Sequence, residues 1–255
     1  MATYKKKGYK KEKKSKDDLS NLTKDSTTAE VFTTLDESAS KLEMFLEKNQ
    51  KWIFAGLAII IVVVGGYLWY DQNIKKPYEK EAIDNMAKAQ EYFNKALEET
   101  DEKLIEEDLK KALEGADGKY GFLHINEKYA NTKAGNLSNY YIGVIYYKQG
   151  DFKKAVEFLS KFEGDDQIIA PMAKGQIADA FVELEQLEDA LEYYVKAAKM
   201  SDNNFTAPLF YFKAGKVALE LNKKDKAKKY FELIKKKYPK SDQAKESDIF
   251  ITQTN

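Results

Sequence analysis

Cysteine is absent and histidine occurs once, at His124. A site needing a thiolate or several imidazoles cannot be assembled from such a chain. That excludes zinc centres of the usual kind, thiol catalysis, disulfides and a lipid-modified cysteine. His124 lies among Phe122, Leu123 and Ile125 with no serine placed to form a dyad, and reads as structural. Arginine is absent too: all 42 basic residues are lysine, so bidentate recognition of phosphate or carboxylate by guanidinium is not available. Neither glycine-rich phosphate signature occurs. The acid pair Asp165–Asp166 precedes Pro171 and reads as a solvated turn, and the sequon Asn204-Phe205-Thr206 is short enough to arise by chance. No catalytic residue, cofactor, metal site or small-molecule substrate is expected.

What is present begins with Trp52–Tyr70, WIFAGLAIIIVVVGGYLWY, nineteen residues without a charge. As a helix it would cover roughly 28 Å, close to a hydrocarbon core. Trp52 stands at one edge and Tyr67, Trp69 and Tyr70 at the other, as aromatic belts do at the two interfaces. The run predicts a single transmembrane helix and contact with a lipid bilayer. One span with no ionisable residue suits a tether rather than a transporter.

Formal charge balances at zero but is unevenly spread: residues 1–70 hold 12 Lys against 9 acids, and the remainder 30 against 33. The larger part is nearly neutral, which argues against a specific nucleic-acid partner. Residues 1–26 carry eight Lys in their first sixteen positions and little apolar surface, and read as a disordered basic tail. The cluster can act as a topogenic signal, contact anionic lipid or RNA, or be a solvated tail. Residues 27–50 read as an amphipathic helix with a capping-box spacing at Thr27 and Glu30 and apolar positions from Val31 to Leu46. Its acidic face points to protein contact or to a simple extension of the apolar helix. The lysine cluster before the span orients the N-terminus to the cytoplasm. In a bacterium this places the chain in the inner membrane with residues 77–255 in the periplasm.

Beyond Pro77, helices are expected over 78–98 and 101–115, with a short one over Gly121–Tyr129. From residue 136 an internal repeat emerges. Ile142-Gly143, Ile177-Ala178 and Ala214-Gly215 recur, followed by Ala155, Ala190 and Ala227 at spacings of 35 and 37 residues. Small residues there let two helices of a pair approach closely, and Pro239 stops the last helix. The spacing is near the 34-residue tetratricopeptide period. The expected fold is all-α: one N-terminal transmembrane helix followed by a tetratricopeptide-repeat (TPR) superhelix.

In such an array the first helix of each pair lines the concave face. By this register the surface comprises Leu137, Tyr140, Val144 and Tyr147, then Met172, Asp179 and Val182, then Leu209, Phe212, Lys216 and Leu219. A tyrosine-rich, partly apolar concavity of this kind suits a segment of a protein partner.

The segments AKAQEYFNKAL (87–97), NYYIGVIYYKQGDFKKAVEFL (139–159), DALEYYVKAAKMSDNNFTAPLFYFKAGKVALEL (189–221) and KAKKYFELIKKKYPKS (226–241), set behind one span and a basic tail, resemble the YfgM-type proteins of bacteria, in their Bacteroidetes-like form. The resemblance implies an ancillary component of the Sec translocon, with translocon subunits, periplasmic chaperones and nascent or secreted chains as partners. The long N-terminal extension departs from short-tailed members. Residue chemistry alone supports an anchored helical-repeat adaptor, and leaves open an envelope scaffold that organises cell-wall or outer-membrane assembly.

Overall fold

The computed structural model describes residues 27–253, in which every regular element is helical. The basic segment 1–26 lies outside the described residues. The chain divides into two units, Met1–Tyr70 and Asp71–Asn255.

The first unit contains α1, Thr27–Tyr70. The helices expected over 27–50 and 52–70 are one uninterrupted element, the simple extension allowed for above. No Pro falls inside it to break the hydrogen-bond ladder. The large apolar side chains from Trp52 to Tyr70 are exposed along its whole circumference. Left in water, each would forgo about 1.5–3 kcal/mol of burial free energy. The described residues hold one helix long and apolar enough to cross a membrane.

The second unit opens with a π-helical stretch, Asp71–Lys75, followed by α2, Lys76–Glu98. Pro77 sits in the first turn of α2, where a missing N–H is tolerated. Helix α2 forms a hairpin with α3, Glu102–Glu114, whose first turn is capped by the Asp101 carboxylate accepting from the N–H of Lys103 at 2.9 Å. The short α4, Phe122–Lys128, leads into three helix pairs: α5 (Lys133–Lys148) with α6 (Phe152–Lys161), α7 (Ile169–Glu183) with α8 (Leu187–Met200), and α9 (Thr206–Glu220) with α10 (Lys224–Lys237). Pro239 follows α10 as expected, but it does not end the fold. A further helix, α11 (Asp242–Thr252), packs on α9 and α10.

Each pair closes in the same way. A single residue in the left-handed region, Gly150, Glu185 or Asn222, reverses the chain. The next N–H reaches back five residues: Asp151 to the Tyr146 carbonyl at 2.9 Å, Gln186 to Phe181 at 2.8 Å and Lys223 to Ala218 at 2.7 Å. This is the Schellman arrangement, which satisfies carbonyls that the end of a helix would otherwise orphan. Ala155, Ala190 and Ala227 are fully buried between paired helices. A Cβ at Gly143 would lie 2.4 Å from Leu159 Cγ, and one at Gly215 would lie 2.6 Å from the Phe231 ring. The close approach anticipated from the repeat is thus a steric requirement.

The core runs through the unit in three stretches, as in stacked repeats that bury surface only against their neighbours. The first joins α2–α5, where Phe122 stacks on Tyr141 at 4.5 Å. The second is built on Leu159, Phe162, Ala173 and Ile177, and the third spans α7–α11. The start of α2 is tied down by side chains: Glu81 accepts from Tyr129 at 2.7 Å, and Glu79 accepts from the N–H of Lys133 at 3.1 Å.

Candidate functional site

Curvature follows from which helices touch. The first helices α5, α7, α9 and α11 approach one another closely in series, whereas among the described residues the backbones of α6, α8 and α10 stay apart. The array therefore bends with the first helices inside, and their outward-turned side chains form the concave face.

On α5, Leu137 and Val144 are half-buried against the first two stretches of core. Tyr140 packs on Phe162 with ring centroids 5.7 Å apart, and burial raises its phenol pKa. Tyr147 lies against Phe152 at 5.4 Å, and burial together with the carboxylates of Asp179 and Glu183 raises its pKa. Those two acids come from α7, so Tyr147 faces the next repeat. Met172, Val182, Leu209 and Leu219 are half-buried against the third stretch of core. Lys216 is exposed.

One expected position is corrected. Phe212 is 8% exposed and belongs to the interior, with its ring edge-on to Phe231 at 5.7 Å and to Phe250 at 5.2 Å. The reason is α11, which covers the face of α9 that carries Phe212.

Next to Phe212 on α9, the half-buried Lys213, the exposed Lys216, the buried Val217 and the exposed Glu220 form a stripe. With Val182 and Tyr194 it lines a cleft of about 230 Å³. Asp179 is not one of the lining residues but holds two of them, one carboxylate oxygen accepting from Lys213 Nζ at 2.6 Å and from the Tyr194 hydroxyl. Tyr194 is nearly fully buried, and burial first, then the Asp179 charge, pushes its phenol far above the ordinary tyrosine range. The Lys213 ammonium also lies 5.6 Å from the Tyr194 ring centroid. The result is a fixed polar floor with an apolar wall at Val182 and Val217 and free charged heads at the rim.

Asp179 and Lys213 lie 34 residues apart. Similar spacings join Glu188 to Lys223, Asp202 to Tyr238, and the Gln167 carbonyl to Asn203. Polar pairs at the repeat spacing were thus a signal available in the sequence. A larger depression, about 480 Å³, lies outside between α8 and α10. It is walled mainly by charged side chains such as Glu188, Glu192, Lys196 and Lys226.

His124 is exposed and stacks on Tyr120 at 5.6 Å. Asp166, read as a solvated turn residue, caps the start of α7 by accepting from the N–H groups of Ile168, Ile169 and Ala170. Thr206 of the sequon is fully buried and bonded to Asn203 at 2.8 Å. Among the described residues no group of three or more His, Cys, Asp or Glu could hold a metal ion.

Tetratricopeptide-repeat family models match residues 138–164, 173–204 and 210–241. The matches fall on α5–α6, α7–α8 and α9–α10, so the three helix pairs are tetratricopeptide repeats. No curated protein matches the sequence.

Proposed function

We propose that this chain, whose repeats mark it as a protein–protein adaptor, is tethered to a membrane by α1 and holds a segment of another protein along the inner face of α5, α7 and α9. The observation that carries the reading is the cleft lined by Val182, Tyr194, Lys213, Lys216, Val217 and Glu220. It is preorganised by Lys213 and Tyr194, partly apolar, and rimmed by the exposed Lys216, a mixture suited to an extended peptide rather than to a small metabolite. The anchor adds concentration: once tethered, a second contact at the membrane becomes effectively intramolecular.

The finer assignment follows the resemblance. The protein is an accessory factor of the Sec translocon, of YfgM type, with a cytoplasmic N-terminus and residues 77–255 in the periplasm of a bacterial inner membrane. There the groove receives folding factors or secreted chains. Crosslinking with mass spectrometry on native membranes tests it. Adducts between the repeats and translocon subunits or periplasmic chaperones are expected. Adducts confined to cell-wall or outer-membrane assembly proteins would replace this role with that of an envelope scaffold. Within the same experiment Lys216→Glu and Tyr147→Glu should lose the groove adducts. Lys216 is exposed, so its variant keeps the fold. Unchanged adducts in a folded Lys216→Glu protein would remove the groove from the account.

A further inference from the structure

The apolar face of α1 does not stop at the span. Leu35, Leu42 and Phe45 are about 60% exposed on the stretch that precedes Trp52. Leu35, Leu42 and Asn49 recur every seventh residue, and Ser38, Phe45 and Trp52 interleave with them three and four residues apart. From Trp52 to Tyr70 every position is apolar or aromatic, and the same register carried on would place Gly56, Val63, Gly66 and Tyr70 on the stripe. A straight helix drifts by about 20° per heptad from a seven-residue repeat, so the repeat from Leu35 to Trp52 keeps one seam in place when the helix supercoils around a partner.

From this we infer that α1 pairs in parallel and in register with α1 of a second copy of this chain. The seam is self-complementary in the way a two-fold interface requires, each position meeting its own counterpart. Asn49 occupies a position where a lone polar residue fixes register by bonding its equivalent across the seam. Its amide is at present turned to the Phe45 carbonyl of its own helix at 2.8 Å. Within the span, a Cβ on Gly56 or Gly66 would meet nothing within 4 Å. A single helix therefore makes no use of these glycines, whereas two backbones in close approach do. The area suffices: covering the larger seam side chains at roughly 100 Å² each removes on the order of 800 Å² per helix, what a stable partner contributes. Before Trp52 the gain is removal from water, and beyond it close packing. Parallel pairing rests on α1 crossing the membrane, because copies inserted alike point alike; it is independent of the groove.

The absence of cysteine makes the test clean, since each variant carries one thiol. Full-length Leu42→Cys, Asn49→Cys and, on the opposite side of the helix, Glu47→Cys are oxidised mildly in native membranes and resolved without reductant. Covalent dimer is expected to dominate at positions 42 and 49 and to stay at background at 47. Adding Gly56→Leu to the Leu42→Cys chain should weaken association about tenfold. Equal yields at 42 and 47 would overturn the pairing. So would the absence of dimer at all three positions when a maleimide labels each thiol.

Discussion

Glu185 holds a backbone conformation that suits it poorly. Its φ of 59° places an ordinary side chain in the left-handed region, at the position where the first pair has Gly150 and the third has Asn222. The side chain is exposed. Relief of that strain outweighs the extra chain entropy of glycine, so Glu185→Gly should stabilise the protein by about 0.5–1 kcal/mol. Thermal unfolding of the full chain in detergent, followed by far-ultraviolet circular dichroism, should show a higher midpoint. Tyrosine chemistry sets a second expectation at this scale. The phenols of Tyr140, Tyr147, Tyr194, Tyr211, Tyr230 and Tyr238 are all shifted upward, burial being the leading cause in each. A group whose pKa is higher folded than unfolded lends stability that is complete below its unfolded value and declines above it. The repeats should therefore lose stability as pH rises past about 10, where free tyrosine ionises. Midpoints measured against pH, with phenolate absorbance as a second probe, should fall together. Tyr194→Phe should show a shallower decline, while losing about 1 kcal/mol at neutral pH with its bond to Asp179.

Among the elements, α11 has the plainest job. A stack of repeats leaves its last pair with an apolar face that no further repeat covers, and a terminal helix must close it. Phe250 does so, with its ring 5.3 Å from Phe231 and 5.2 Å from Phe212. The ring is only half-buried, so Phe250→Ala should cost less than a fully interior truncation, about 2–3 kcal/mol. The loss should be read as a lower midpoint with increased binding of a hydrophobic dye. The same closure turned Phe212 inward. Of the expected stripe, Phe212 alone is interior, while Leu209 and Leu219 are half-buried and Lys216 is exposed.

For the whole molecule, the two units divide the work. In the function proposed, the repeats supply the contact surface and α1 supplies a place for it. If residues 77–255 are periplasmic, a reporter active only outside the cytoplasm should be active when fused after Asn255, and a cytoplasmic reporter there should be silent. The opposite pattern would put the groove on the other side of the membrane and remove periplasmic partners from consideration. Pairing through α1 would bring two repeat domains to one place, so a ligand with two recognisable segments would bind more tightly than one with a single segment, without any new contact.

Much of this architecture could be read from residue order, because it depends on local chemistry. An uncharged run of nineteen residues implies a hydrophobic medium whatever surrounds it, and small residues recurring near the repeat period imply paired helices before any contact is known. The first-helix positions were legible for that reason, and most of the expected concave residues are half-buried on those helices. Helix α11 was not legible: its eleven residues carry few apolar positions, and its role exists only because α9 and α10 leave a face open. The polar group beside the cleft was legible only in part, through the repeat spacing of Asp179 and Lys213. Asp179, Lys213 and Tyr194 come from three helices, and only their packing brings an acid, a base and a phenol to one point. Periodicity specifies which residues share a helix face. Which way that face turns is decided by the neighbours that compete to cover it, and a change of one residue, about 100°, separates a buried Phe212 from an accessible Lys213.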